Sequence, residues 1–243
     1  MIKSWSWSRY ADYTQCPRRA KLKHVDRHKE PGSAAMDRGA EIHDLISGFI
    51  KGAIKTLIVP EGAPKEFWKP WEKELKLYRA AYKKKNHGMT VEDDWAFTRD
   101  WERCRWDDWH KCWVRLKLDL AHPISKTELV ITDWKTGKAR EEERTAYKAQ
   151  LELYALAALI LHPHVTTVYP RLAFIDAETT FPVVREDLKF TQTDVVKLKK
   201  EWAKRTKAMF LDDIFAARPS PKCRWCWFGQ AKKAQGGPGF CEF

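Results

Sequence analysis

Two consecutive stretches with strand periodicity, each carrying an aspartate, constrain this chain more than any other feature. From Lys111 to Leu120, the residues Cys112, Val114, Leu116, Leu118 and Leu120 fall at every second position. That spacing puts them on one face of a strand and turns Asp119 to the other. From Leu129 to Lys135 a second strand carries Asp133 and Lys135 on a shared face. If the two strands pair, Asp119 and Asp133 meet at one edge of a sheet. Close carboxylates repel each other, and a divalent cation resolves the conflict. Hard oxygen ligands with open water positions suit Mg²⁺ or Mn²⁺. Lys135 beside them could orient or deprotonate a water, or stabilise charge developing on a phosphate. These are the parts needed to hydrolyse a phosphodiester. An Asp-x-Lys triplet is common by chance, and a strand-end Asp often only begins a turn, so the surroundings decide its weight.

Helical periodicity precedes the strands. Ser8 to about Val25 reads as a helix interrupted at Cys16-Pro17, and Pro31-Gly32-Ser33 as a turn. Ala34 to about Ile58 is helical by the spacing of Ile42, Leu45, Ile46, Phe49, Ile50 and Ile54. A further helix is expected from about Glu66 to Lys85, stopping near Asn86-His87-Gly88, then a strand from Thr90 to Phe97. Beyond Lys135, Thr136-Gly137 turns into a helix over about Glu141 to Leu161. Strands at Val168–Ile175 and Phe181–Glu186 follow, then a basic amphipathic helix from Thr191 to about Phe215. The tail after Pro219 has no regular pattern. The order predicts one mixed α/β domain over residues 1–243. It has a helical part at about 1–88, a core at about 89–217 and a cysteine-rich strap at about 218–243.

Composition excludes some classes. With 44% apolar and 32% charged residues, including 13 Trp, the chain has ample surface to bury and is not a disordered type. No apolar run approaches the roughly 20 residues of a membrane span, and Met1 to Trp5 lacks a secretory pattern, so a cytoplasmic location is expected. The formal net charge of +12 is concentrated in Lys83-Lys84-Lys85 and in Lys197 to Lys207. It agrees with a polyanionic partner without requiring one.

Two more features accompany the carboxylates. Gln150 and Tyr154 lie one helical turn apart and share a face. His43 stands in Arg38-Gly39-Ala40-Glu41-Ile42-His43, where Gly39 one turn earlier allows close approach of another segment. A lone helical histidine is more often structural, yet neutral imidazole is a good metal ligand.

The order Gly39-x3-His43, Asp119, Asp133-Trp134-Lys135 and Gln150-x3-Tyr154 resembles the RecB-like branch of the PD-(D/E)XK nucleases, over nearly the whole chain. That branch includes the nuclease domains of bacterial RecB and AddB, the CRISPR-associated iron–sulfur nuclease and many phage exonucleases. The resemblance implies a restriction-endonuclease-like mixed central sheet flanked by helices. It implies that His43, Asp119, Asp133 and the Trp134 carbonyl hold the metal, that Lys135 is catalytic, and that Gln150 and Tyr154 contact DNA or support the site. Glu92 resembles an acidic position on the preceding strand.

The cysteines extend the likeness. Iron–sulfur members place one cysteine early, in a Ser-x-Ser-x(n)-Cys-Pro segment, and three at the C-terminus. Here Ser6-Trp7-Ser8 precedes Cys16-Pro17, and Cys223-x2-Cys226 precedes Cys241, although 14 residues lie between Cys226 and Cys241, more than many relatives use. Four thiolates can hold a 4Fe–4S cluster or a tetrahedral Zn²⁺, and ligand type does not decide between them; the resemblance favours the cluster. Such a site would join the two ends of the chain to each other. Cys104 and Cys112 read as ordinary residues.

Lys197, Lys199, Lys200, Lys204, Arg205 and Lys207 could neutralise phosphates, and Trp95, Trp101, Trp106, Trp109 and Trp113 include candidates for stacking on unpaired bases. The resulting expectation is an Mg²⁺- or Mn²⁺-dependent exonuclease. It would act on DNA that is single-stranded or has free ends, in recombination, replication or DNA degradation, with a phage origin fitting its compactness. It would bind no membrane, and would work as a homo-oligomer or beside a separate helicase or recombinase chain. The alternative is a non-catalytic DNA-binding protein that keeps the fold and the cluster.

Overall fold

The computed structural model describes residues 1–59, 65–84, 88–177 and 179–243. Its helices are α1 (Trp7–Gln15), α2 (Pro17–His24), α3 (Ala34–Lys51), α4 (Lys65–Tyr82), α5 (Arg144–Leu161) and α6 (Val195–Leu211). Its strands are β1 (Thr90–Phe97), β2 (Val114–Pro123), β3 (Glu128–Lys135), β4 (Thr167–Phe174), β5 (Thr179–Phe181) and β6 (Phe190–Thr191). The sheet runs β1-β2-β3-β4-β5, with β6 also paired to β4. Strands β2 and β3 form an antiparallel pair that aligns Leu120 with Thr132, while β3 and β4 are parallel, joined through α5. This is a mixed sheet flanked by helices. No described helix is long and apolar enough to cross a membrane.

Contacts gather into two compact units, one comprising Ser33–Trp95 and Leu116–Lys199, the other Met1–Gly32, Ala96–Arg115 and Lys200–Phe243. In the first, α3 and α4 bury Ile42, Ile46, Phe49, Ile50, Trp68, Trp71 and Leu75 with Leu120, Trp134 and Ala173 of the sheet. Residues of opposite parity on β3, such as Ile131 and Asp133, leave that layer; Asp133 is met by Gln150 of α5. A core of this size is the main source of stability for the inner strands β2 and β3, which carry the site. In the second unit, a parallel bridge joins Trp5 to Val114, and Trp5 stacks on Trp202 with ring centroids 5.1 Å apart. Tyr13 donates to Asp212 at 2.7 Å.

Several boundaries differ from the sequence reading. The first helix does break at Cys16, with Pro17 opening α2. The helix expected to reach Ile58 stops at Lys51, because Gly52 takes φ 89°, a left-handed conformation that glycine adopts at no steric cost. The expected stop at Asn86-His87 lies outside the described residues, as does Lys85. Strand β2 begins at Val114 and not Lys111, since Asp108 captures the Lys111 and His110 amides and the Cys112 amide bonds back to its carbonyl. The Phe181–Glu186 strand is absent: β5 ends at Phe181, Pro182 has no N–H to donate, and Arg185–Asp187 form a 3-10 turn. The tail is not irregular throughout. Pro221–Trp225 and Gln230–Gln235 make 3-10 turns, and Gly229 bridges Cys241.

Candidate active site

The β2–β3 pair brings the expected residues together. Asp119 is buried and its Oδ2 accepts the Trp134 backbone N–H at 2.7 Å, a strand-to-strand contact made through a side chain. Asp133 and Lys135 do share a face: Lys135 Nζ lies 2.7 Å from Asp133 Oδ2. Gln150 Nε2 donates to Asp133 Oδ1 at 3.0 Å from the first half of α5, and the adjoining Tyr154 is buried one turn later. The same two carboxylates bear on Tyr154, whose hydroxyl is kept from ionising by burial, then by the charges of Asp133 and Asp119.

Helix α3 supplies His43. Its Nε2–H donates to the Trp134 carbonyl at 3.0 Å, and Nδ1 lies 3.3 Å from Asp119 Oδ1 and 3.9 Å from Glu92 Oε1. One ligand atom each from His43, Glu92 and Asp119 fall within 4.8 Å of one another, a group able to hold a metal ion. Burial works to discharge the imidazole, but the Asp119 hydrogen bond and the charges of Asp119, Asp133 and Glu92 outweigh it and raise its pKa to about 9. Glu92 is pushed up by burial and by Asp119. Burial pushes Asp133 up as well, opposed by Lys135, and the Asp133 carboxylate keeps Lys135 charged against its own burial. The site thus sets the carboxylates of Glu92, Asp119 and Asp133 against the imidazole of His43 and the ammonium of Lys135.

Glu92 has a backbone anomaly. It takes φ 51° inside β1, a left-handed conformation rare for a residue with a long side chain. Such a residue breaks the alternation of a strand and re-aims its side chain. The sequence signal for it is the resemblance of Glu92 to an acidic position of the family on the preceding strand.

Arg38 and Asp176 were not foreseen. Arg38 pairs with Asp176 through both carboxylate oxygens, at 2.6 and 2.8 Å, and Asp176 Oδ2 also accepts the Gly137 N–H at 2.7 Å. The first turns of α3, the end of β4 and the turn after Lys135 are thereby fastened together.

In the other unit, Cys16, Cys223, Cys226 and Cys241 line one cavity and are all free thiols. Backbone N–H groups of Arg218 and Ser220 donate to the sulfurs of Cys16 and Cys223 at 3.4 and 3.3 Å. Burial raises the Cys226 thiol pKa. Cys104 and Cys112 lie apart from this cavity.

Residues 4–231 match the family profile described as the PD-(D/E)XK nuclease superfamily. A solved structure from Eubacterium rectale, described as a "Putative exonuclease", shares 13% identity, with 94% of this chain and 88% of that chain covered at a TM-score of 0.51. That likeness is one of fold. The structure of SSO0001 aligns over 94% of this chain and 84% of that one, at 13% identity and a TM-score of 0.41. No curated protein matches the chain.

Proposed function

This chain belongs to the PD-(D/E)XK nuclease superfamily, and from that premise we propose that it is an Mg²⁺- or Mn²⁺-dependent exonuclease acting on DNA. The observation that carries the reading is the convergence of Asp119, Asp133 and Lys135 on the paired inner strands β2 and β3, with His43 and Glu92 beside them. The donor set of carboxylates and one imidazole fits a hard divalent cation. His43, Glu92, Asp119 and Asp133 would hold it, with the Trp134 carbonyl completing the set. When bound, such an ion supplies Lewis-acid polarisation of the scissile phosphate and lowers the pKa of a bound water.

The chain's own residues supply the rest. Lys135, held charged by Asp133, orients the attacking water and donates hydrogen bonds to the phosphate as negative charge builds on it. Gln150 fixes the rotamer of Asp133 through a hydrogen bond to the oxygen that Lys135 does not face. Tyr154 packs behind this pair as a neutral phenol. His43 gives up a proton when it becomes a ligand.

We extend the proposal to a 4Fe–4S cluster at the four thiols; in support of it, they line one cavity, and amide N–H groups donate to two of the sulfurs. Cys16, Cys223, Cys226 and Cys241 would hold it. A cluster there would tie the N- and C-terminal segments through its thiolate ligands, with Zn²⁺ the alternative occupant. Work on DNA ends in recombination, replication or DNA degradation, a phage setting, a cytoplasmic location, self-assembly and a separate helicase or recombinase partner all accord with this reading.

The test is degradation of end-labelled single- and double-stranded DNA with Mg²⁺ or Mn²⁺, comparing wild type with Lys135→Ala. Metal-dependent shortening from the ends that disappears in the variant supports the reading. A folded wild type that binds DNA and never cuts it overturns the reading in favour of a non-catalytic binding protein.

A further inference from the structure

Within the unit that contains the chain's N-terminal segment lies an open cleft of about 950 Å³, lined by none of the residues of the cysteine cavity. Lys3, Arg9, Lys23 and Arg27 line it together with Trp109 and His110, and no carboxylate does. Lys23 is neutralised by Asp12 and Glu30 at 3.2 and 3.1 Å. Among the described residues, no carboxylate makes an ion pair with Lys3, Arg9 or Arg27.

Directly behind the cleft is a buried arginine. Arg115 is 6% exposed, donates to the Trp106 carbonyl and to Ser4 Oγ, and leaves Nη2 without a hydrogen-bond partner. Arg9 donates to the same Ser4 hydroxyl at 3.0 Å, so two guanidiniums converge on one neutral oxygen. The strain registers on Arg9, whose pKa is lowered by burial and then by the nearby charges of Arg115 and Arg27. Gathering cations without a counter-charge is unfavourable in the free protein, and an anionic ligand would relieve it. Arg27 is also held at φ 60°, a left-handed conformation that costs energy for an arginine and is characteristic of functional positions.

Trp109 defines what kind of anion fits. Of the tryptophans between the two strand-bearing motifs, Trp95, Trp101 and Trp113 are buried, whereas Trp109 is 64% exposed. The Arg115 guanidinium stacks 3.8 Å from the centroid of its ring. One face is therefore backed by a cation, and the exposure falls to the other face and the edge. An indole fixed this way is a platform for a flat aromatic group. Phosphates spaced along a chain with aromatic groups free to stack describe an unpaired nucleic-acid strand. In a duplex the base faces are already occupied, and the Asp and Glu side chains that make a peptide acidic offer no such faces.

We infer that this cleft binds a segment of single-stranded DNA, its phosphates on Lys3, Arg9 and Arg27 and a base stacked on Trp109. The assignment of DNA, and not another polyanion, rests on the nuclease reading.

The test uses the full chain with a chelator present, so that binding is read without cleavage, and a fluorescein-labelled oligothymidylate in an anisotropy titration. Trp109→Ala should weaken binding about five- to hundredfold, the range for loss of one base–aromatic stack, and Trp109→Phe should recover most of it. Arg27→Asn suits the left-handed backbone, so it removes the charge without loss of fold. It should reduce the dependence of log affinity on log salt by about 0.7, the value for one phosphate contact on a single strand. Circular dichroism confirms that each variant is folded. The inference is overturned if wild type does not bind the oligonucleotide or if Trp109→Ala binds within twofold of wild type. It is also overturned if polyglutamate displaces the DNA equally well from wild type and Trp109→Ala. A protein that binds through Trp109 but cleaves nothing when metal is restored leaves this inference standing and removes the nuclease reading. One that cleaves DNA while Trp109→Ala changes nothing does the reverse.

Discussion

Lys135 Nζ lies 2.7 Å from Asp133 Oδ2, two positions along the same strand. The pair is the shortest-range consequence of the strand's period, and it sets the charge state of the site. Lys135→Ala removes the group proposed to orient water and to meet phosphate charge. The cleavage rate should fall about 10²- to 10⁴-fold, the range for a positioned proton-transfer group. Lys135→Arg should rescue little, because a planar guanidinium cannot occupy the position of a compact ammonium. Single-turnover rates at saturating metal measure this; a loss of less than tenfold would remove Lys135 from the chemistry.

His43 sets a pH dependence in the metal-free protein. Its pKa is about 9 in the fold against 6.5 for an unperturbed histidine. The stabilisation is thus fully present below pH 6.5 and is lost as pH rises through 9. The thermal midpoint measured with chelator should decline across that window, and His43→Gln should flatten the decline. The ligand form of histidine is neutral, so Mn²⁺ affinity should rise over the same interval with release of a proton. Calorimetry in buffers of different ionisation enthalpy counts that proton.

Asp176 fastens two segments on which the site depends. It accepts both Arg38 hydrogen bonds and the N–H of Gly137, two residues after Lys135. Charge-assisted hydrogen bonds contribute about 1.5–3 kcal/mol each. Asp176→Asn keeps the shape but weakens the pair, and should cost about 1–3 kcal/mol by denaturant titration. Because the Arg38 partner lowers the Asp176 pKa, this contribution is present above the ordinary carboxylate range and is lost as pH falls through it. Cleavage should slow with little change in metal affinity, since no metal ligand is touched. Wild-type stability and rate in the variant would leave the clamp without consequence.

The residues legible in the sequence were those whose neighbours are dictated by local period. Asp133 and Lys135 share a face in any strand, and Gln150 and Tyr154 in any helix, so their placement needed only the elements to form. The Asp119–Trp134 contact needed one further step, that consecutive strands pair. Glu92 was less visible, because its aim depends on a left-handed backbone that an acidic residue does not announce. Arg38 and Asp176 meet through segments far apart in the chain, and neither residue type distinguishes a half-buried clamp from a solvated surface. The strand expected from Lys111 forms but starts late, at Val114, because Asp108 competes for the backbone amides that a ladder would use. The tryptophans were undecidable from spacing; only exposure separates Trp109 from Trp95, Trp101 and Trp113.

The occupant of the cysteine cavity can be read spectroscopically. Purified without oxygen, the protein should be brown and contain about four iron atoms per chain, as a 4Fe–4S site requires. Cys16→Ser or Cys241→Ser should bleach it and lower the thermal midpoint together. A colourless protein with one zinc per chain would exchange the cluster for a tetrahedral ion. A metal-free protein of unchanged stability would remove the tie altogether.

Gly229 tests the same tie without touching a sulfur. A β-carbon there would lie 2.4 Å from the Phe243 carbonyl oxygen and 3.3 Å from the carbonyls of Cys223 and Cys226. The Gly229–Cys241 bridge and the Phe228 carbonyl, which accepts the Cys241 N–H at 2.9 Å, hold the last cysteine at the cavity. Backbone cannot yield as a flexible side chain can, so Gly229→Ala must separate the tail from the turn that carries Cys223 and Cys226. Metal content should fall with stability, although all four thiols remain. Gln230 supports the same arrangement by donating to the carbonyls of Gly239 and Cys241, so Gln230→Ala should weaken it more mildly. If Gly229→Ala keeps full metal content, the thiols close on their ligand independently of the backbone bridge, and the tail is a passive tether.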